Sequence, residues 1–419
     1  MTSEIFTDAL EIANAWRAGL DLGELIADGL IRTGVIDMDV DVVAIGKASP
    51  EMANACHAVL GDHVCRTLIV TDEEWDPAFN SEVVIGSHPL VSDASIAAGE
   101  RLVAFLGEPT SATSTVFLVS GGASSLCALP LQPLTVSDLS SLWDAAVEAG
   151  LNITTLNQLR AATSGIAGGM VLRNVRTPRS ASLIMVDNVV SGEEWVASGL
   201  TYDFRPSRDE LAALVDQLNR SGLPLVDRLL SAGGHRRTLT SEPITTAHRN
   251  VVIAQPSLVL RRATNAARRL GYRVVDRGSA VHGDVADVAK LYESVIDDEV
   301  QRGGAFCVLS VGEVTVRVTG SGRGGRCQEL AWLMAPMLAH LDRGALFAAV
   351  ATDGRDFVDG VGGAWVDHTT MVTLAQMSIS WDDIARNNDS FRGLSLLDHL
   401  LAGGRTGWNL CDLYLAIVR

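Results

Sequence analysis

Several short runs in this chain are apolar at every position instead of every second one, and that pattern restricts the fold more than any other feature. Residues 42–45 read Val-Val-Ala-Ile and residues 116–119 read Val-Phe-Leu-Val. A strand with one wet face alternates polar and apolar side chains, whereas a strand without alternation is covered on both faces, as in a parallel sheet with helices above and below. Helical stretches separate these runs. Residues 92–106 are amphipathic and open on Ser92, whose hydroxyl suits the unpaired amides of a first helical turn. Strand, helix and strand repeat in this way, which predicts an α/β protein.

Strands are expected over 41–45, 66–70, 82–85, 115–120 and 181–187, with helices over 3–33 (broken at 19–23), 92–106, 135–150 and 156–173. Residues 207–222, residues 223–232 and the polar run Gly233-Gly234-His235-Arg236-Arg237-Thr238 together read as a boundary. Beyond it a second α/β unit is expected, with strands 251–254, 272–275, 305–309, 314–318, 346–351 and 412–418 and helices 257–270, 284–302 and 328–341. At 419 residues the chain is too long for one ordinary core, so two domains are expected, 1–235 and 236–419.

Composition excludes several classes of function. A formal charge of −17 with no compact basic run argues against a nucleic-acid surface, because phosphate backbones would be repelled. The six cysteines are scattered without a C-x-x-C pair, which fits a reducing compartment and no zinc site. Residues 1–16 carry Glu4, Asp8 and Glu11 and do not read as a signal peptide, and no run reaches the length of a membrane span. A cytoplasmic protein with no membrane partner is expected.

Against this acidic background one lysine stands out. Of 33 basic residues only Lys47 and Lys290 are lysines, and Lys47 falls at a strand-to-helix joint, in Ile45-Gly46-Lys47-Ala48. Where arginine is the default, a compact ammonium at such a joint suits a crowded phosphate site; a lysine left on a solvated loop is the alternative. The stretch is not a Walker A loop, which would need glycine at Asp41 and Ser or Thr at Ala48. A second glycine loop, Gly121-Gly122-Ala123-Ser124-Ser125, follows the run that ends at Ser120, and it reads as an anion cradle or as a tight turn with no ligand. Neighbouring Cys127 reads as packing. The third loop, Gly320-Ser321-Gly322-Arg323-Gly324-Gly325-Arg326-Cys327, opens a helix and offers two forked donors to a phosphate or carboxylate, or else is a solvated basic loop.

Two aspartates, Asp187 and Asp353, stand where strands run out. There a carboxylate can hold Mg2+ or take a proton from a substrate hydroxyl, and an Asx-turn or helix cap is the other reading of each. Asp356 and Asp359 follow in the same loop. Weaker candidates are His88 before Pro89, Arg160 on one helical face with Asn157, Glu313 between two expected strands, and Asn409 in a loop before the last strand. Asn387-Asn388-Asp389-Ser390 reads as a helix-capping cluster.

Collected in order, these pieces resemble the class II glycerate 2-kinase family, whose C-terminal part is called MOFRL. The matching segments are AIGKASPEMANA (44–55), SHPLVSDAS (87–95), LVSGGASSL (118–126), LNQLRAATSGIAGG (156–169), VASGLT (196–201), GEVTVRVTGSGRGGRCQELA (312–331), ATDGRDFVDGVGGAWVD (351–367), NNDS (387–390) and TGWNLCDL (406–413). The resemblance implies a Rossmann-like parallel-sheet N-terminal domain, a C-terminal α/β MOFRL-like domain and a cleft between them. The implied reaction is ATP- and Mg2+-dependent phosphorylation of the 2-hydroxyl of D-glycerate or a related small hydroxy acid. It makes Lys47 the lysine that stabilises the transferring phosphoryl group and Arg326 its partner. It makes Asp187 a base or metal ligand, 120–124 with Ser120, Gly121, Gly122 and Ser124 the anion loop, and Asp353 a second metal or nucleotide contact. His88, Arg160, Glu313, Asn409 and the glycines Gly322, Gly324 and Gly325 would contact substrate or nucleotide, in a protein for which a homodimer is open.

The chain departs from the family pattern at Asp187-Asn188 with Val190-Ser191-Gly192-Glu193, at Ser310-Val311-Gly312-Glu313, at Cys327 and at Gly404-Arg405-Thr406-Gly407-Trp408-Asn409. All are expected in loops, where Trp408 would narrow a pocket and Cys327 would remove amide hydrogen bonds. An altered acceptor follows, or a protein that binds an anionic metabolite or nucleotide without turnover. A hydroxypyruvate reductase is the third reading, against which the chain lacks a dinucleotide fingerprint.

Overall fold

Strands β1 (Val40–Ile45), β2 (Val64–Thr71), β3 (Glu82–Ile85), β4 (Ser114–Val119), β5 (Arg179–Met185) and β6 (Ala247–Ala254) form one sheet in the order β3-β2-β1-β4-β5-β6. Every neighbouring pair is parallel. All six residues of β1 and of β4 are buried, as the unbroken apolar runs predict for a sheet covered on both faces. The computed structural model describes residues 2–148, 151, 153–187, 192–204, 213, 216 and 244–419. Ser92 caps the Asp93–Gly107 helix by accepting from the Ala94 amide, and Ser95 returns the bond to the Ser92 amide.

A second, mixed sheet runs β12-β11-β10-β13-β9-β7. Its strands are β7 (Arg273–Asp276), β8 (Val281–Asp284), β9 (Phe306–Thr315), β10 (Ala345–Ala351), β11 (Val361–Asp367), β12 (Leu400–Ala402) and β13 (Asp412–Val418). β13 lies between β10 and β9 and is antiparallel to both, while β7 and β8 follow one another along the other edge of β9. Alternate residues divide the two faces. Phe306, Val308, Ala345, Phe347, Ala349, Tyr414, Ala416 and Val418 join one core with Leu330, Trp332 and Leu338 of the Arg326–Ala339 helix. The Thr2–Ala15 and Pro256–Arg269 helices pack on each other and on strands of the same sheet.

The chain forms two contact units, one of Asp21–Ala254 and one of Met1–Leu20 with Gln255–Arg419. Strand 251–254, expected to open the second unit, is instead the end of β6 and completes the first sheet beside β5. The first helix belongs with the second unit, where Ile5, Ile12 and Trp16 are buried. The boundary read at Gly233–Thr238, and with it the division at 235/236, lies outside the described residues. Residues 305–318, expected as two strands, hold the single strand β9, which runs through Gly312 and Glu313. Among the described residues no helix is long and apolar enough to cross a membrane.

Candidate functional site

In the first unit the strand order reverses between β1 and β4, and open α/β sheets bind ligands beyond the carboxyl ends of the strands at that point. Gly46 leaves β1 with φ +128°, and a Cβ there would fall 2.2 Å from Ser120 Oγ and 2.5 Å from the Ser120 carbonyl oxygen. Only glycine fits this approach. The two loops are then stitched together: Lys47 N–H donates to the Gly121 carbonyl at 2.9 Å and Ala48 N–H to Ser120 Oγ at 3.1 Å. Gly122 follows with φ +82°, and a Cβ on it would lie 3.1 Å from Lys47 Cγ and 3.1 Å from His88 Cδ2. The half-buried Lys47 and the exposed His88 therefore meet over Gly122, directly before the Ser49–Leu60 helix. Two residues before His88, Gly86 packs so closely on the Leu126 carbonyl that a Cβ would come within 2.0 Å of it.

Other expected members of this loop have structural duties. Ser120 is fully buried and its hydroxyl accepts the Ala48 amide. Ser124 Oγ shares a 2.8 Å hydrogen bond with Ser198 Oγ, tying this turn to the 193–198 segment. Cys127 is buried and burial pushes its thiol up to about 12, which agrees with packing and not nucleophilic attack. Asp187 stands half-buried at the end of β5, the strand beside β4. Asn188, Val190 and Ser191 lie outside the described residues. Arg160 does not form a surface ion pair among the described residues. Its guanidinium lies 4.6 Å from the Trp143 ring centroid, and burial lowers its pKa.

In the second unit the glycine-rich loop has a different chemistry from the one its sequence suggests. Asn388 Oδ1 accepts the Thr319 and Gly320 amides at 2.7 and 3.1 Å, and Asn387 Oδ1 accepts Ser321 N–H at 3.0 Å. The Gly322 amide donates to the Asn387 carbonyl at 2.8 Å and the Arg323 amide to Asp389 Oδ1 at 3.1 Å. These N–H groups are satisfied by the chain itself and do not cradle an anion. The glycines are there for packing: a Cβ on Gly322 would meet Asp389 at 2.5 Å, one on Gly324 Ser390 Oγ at 2.1 Å, and one on Gly325 the Asp356 carbonyl at 2.2 Å. Asn387 to Asp389, read as a helix cap, are the clamp of this loop.

The helix N-terminus is likewise occupied. Fully buried Asp356 accepts the Cys327 and Gln328 amides at 3.0 and 2.9 Å, and Gln328 Nε2 donates to its carbonyl at 2.8 Å. Asp356 caps this helix end. Arg326 does face a functional geometry: its Nε and Nη2 donate to the two oxygens of Asp412, both at 2.6 Å. Burial opposes the Arg326 charge, but the Asp412 carboxylate outweighs it and holds the guanidinium protonated.

Asp353 accepts the Arg355 amide at 2.9 Å in an Asx-turn and keeps a half-buried carboxylate at the end of β10. Asn409 is buried beside Leu410, whose amide donates to Thr352 Oγ1 at 2.8 Å, so Asp353 and Asn409 flank one contact. Glu313 is not in a turn; it is an exposed position inside β9, and Ser310 to Gly312 are buried in the same strand. Cys327 is buried in the first turn of a helix, so these departures from the family pattern are not confined to loops. Trp408 packs edge-on to Trp16 at 6.2 Å. Among the described residues no group of three or more His, Cys, Asp or Glu is placed to hold a metal. Magnesium asks for less, one or two carboxylates with waters and substrate phosphates, and half-buried Asp187 in the first unit or Asp353 in the second each offers one such carboxylate. The sequence signal for the partner of Arg326 is an aspartate that opens an otherwise apolar strand, Asp412 before Leu-Tyr-Leu-Ala-Ile-Val.

Comparison with known proteins matches the chain in two segments. A family model described as a domain of unknown function, DUF4147, matches residues 4–229, and the MOFRL family model matches residues 306–412. The chain is 27% identical to a glycerate 2-kinase of Pyrococcus horikoshii over 98% of its own length and 95% of that protein. It is 26% identical to a D-glycerate 2-kinase of Thermotoga maritima, covering 90% of each. The crystal structure of a glycerate kinase from Thermotoga maritima superposes with a TM-score of 0.84 at 24% identity, over 100% of both chains, and so shares the fold. The chain belongs to the DUF4147 family and carries a MOFRL segment behind it, the class II glycerate kinase type that its motifs resemble.

Proposed function

We propose that this protein is an ATP- and Mg2+-dependent kinase that phosphorylates the 2-hydroxyl of D-glycerate or a related small hydroxy acid. The observation that carries the reading is Lys47, held over Gly122 with His88 at the switch point of a parallel sheet. Its relatives of matching length are named glycerate 2-kinases, which supplies the reaction class. Phosphoryl transfer asks mainly for positioning and for positive charge on the transferring group. Lys47 supplies a compact ammonium to phosphoryl oxygens. Asp187, at the end of the strand next to β4, accepts the proton of the attacking hydroxyl. Arg326 is the anion contact of the second unit. Magnesium, held through Asp187 or Asp353, neutralises phosphate charge when bound.

Purified protein incubated with ATP, Mg2+ and a panel of hydroxy acids should release ADP and form a phosphorylated acid with D-glycerate or a near analogue. No phosphorylated product from any acid overturns the reading. Calorimetric binding of nucleotide without turnover would favour the binding-only alternative, and NADH consumption with hydroxypyruvate would favour the reductase.

A further inference from the structure

Arg326 and Asp412 form an ion pair whose two ends have unlike surroundings. The Asp412 side chain is 0% exposed, whereas that of Arg326 keeps 27% exposure. Asp412 opens β13, the strand between β10 and β9, in register with Ala351 on one side and Gly312 on the other. It shares a strand face with Tyr414, two residues on, and that face packs against the helix that Arg326 begins. Tyr414 O–H donates to Asp412 Oδ2 at 3.1 Å, and the Val314 amide of β9 donates to Tyr414 Oη at 3.2 Å. The carboxylate is thus fixed from behind by the sheet. Of the five N–H groups of a guanidinium, two are taken by Asp412. No other acceptor among the described residues binds the remainder. The pair thus has a buried anchor and a partly exposed fork.

We infer that Asp412, backed by Tyr414, is a positioning residue that holds the Arg326 guanidinium by one edge so that its remaining N–H groups meet the oxyanion of the transferring phosphoryl group. The inference rests on the proposed role of Arg326. Asp412 acts through Arg326 and does not touch substrate. Asp356 completes the arrangement, because by accepting the Cys327 and Gln328 amides it fixes the turn that carries Arg326 and takes the helix end out of anion binding.

The test uses the full chain with Asp412→Asn, Arg326→Lys, the double variant and Tyr414→Phe. Asparagine sets an amide donor against one arginine N–H and keeps only one of the two bonds. Asp412→Asn should lower kcat by about 100-fold, leave KM for ATP and for the acid near the wild-type values, and add no loss to Arg326→Lys in the double variant. Tyr414→Phe, which deletes one hydroxyl, should lower kcat less and in the same direction, and it decides the matter if Asp412→Asn does not fold. Wild-type kcat in Tyr414→Phe or Asp412→Asn, with only the melting temperature reduced, overturns the inference, as do additive losses in the double variant. If the wild type phosphorylates none of the acids, the parent reading fails and the inference falls with it, an outcome distinct from wild-type kcat in Asp412→Asn.

Discussion

Lys47 sits between a glycine that cannot carry a side chain and a glycine whose face it covers. Gly46 abuts Ser120, and Gly122 leaves room for the Lys47 stem and the His88 ring together. An ammonium suits that space; a planar guanidinium is wider and needs its own in-plane acceptors. Lys47→Ala should therefore reduce kcat by about 100- to 1,000-fold, and Lys47→Arg should restore little of it, as measured by initial rates of ADP release at saturating substrates. Wild-type rates in Lys47→Ala would remove Lys47 from the chemistry. The same scale explains why Arg326 differs. It is an arginine because a two-pronged grip on Asp412 requires the fork, and lysine offers only a point charge.

At the scale of elements, the glycines of 320–325 answer to packing. Glycines at a helix start are also what a loop needs when another loop crosses it closely, and here 387–390 crosses it. The seam between β5 and β6 is held by a half-buried histidine. His248 Nδ1 lies 2.8 Å from Ser180 Oγ, and its Nε2 lies 3.0 Å from Asn250 Oδ1, which also accepts from Thr201 at 2.7 Å. A neutral ring matches this set, donating to Asn250 and accepting from Ser180. Burial lowers the His248 pKa from 6.5, with the Asn250 bond opposing. A histidine whose folded pKa is depressed contributes stability above its unfolded pKa and loses it as pH falls through the folded value. Below pH about 6.5 the wild type should lose melting temperature, and His248→Gln should lose less over the same range; parallel curves by calorimetry would show that His248 is not the group responsible.

On the scale of the whole molecule, the second unit is discontinuous in sequence. The Thr2–Ala15 helix packs on the Pro256–Arg269 helix and on β10 and β13, and Arg419 at the chain end bonds to Glu4 at 3.2 Å, to Asp8 and to Tyr272 Oη at 2.7 Å. Removing residues 1–20 uncovers the partners of Ile5, Ile12 and Trp16. Amide hydrogen exchange of the truncated chain should rise in β10, β13 and 256–269 while β1, β4 and β5 keep their protection. Equal loss of protection in both sets would contradict this division into units.

Local chemistry was legible in the sequence wherever neighbours in the chain set it. Unbroken apolar runs specified the parallel sheet of β1 and β4, Ser92 specified a helix start, and Gly46-Lys47 marked a strand-to-helix joint, because burial on both faces, capping and backbone freedom act over a few residues. Pairings across long stretches of chain were decided only by the tertiary structure. β6 joins β5 and not the strands that follow it, Asn387 to Asp389 satisfy the amides of 319–323, and Asp412 meets Arg326 from 86 residues away. A carboxylate or an amide oxygen has the same local signature whether it binds a ligand, a metal or its own backbone. Which of these it does depends on the groups that folding brings within about 3 Å of it.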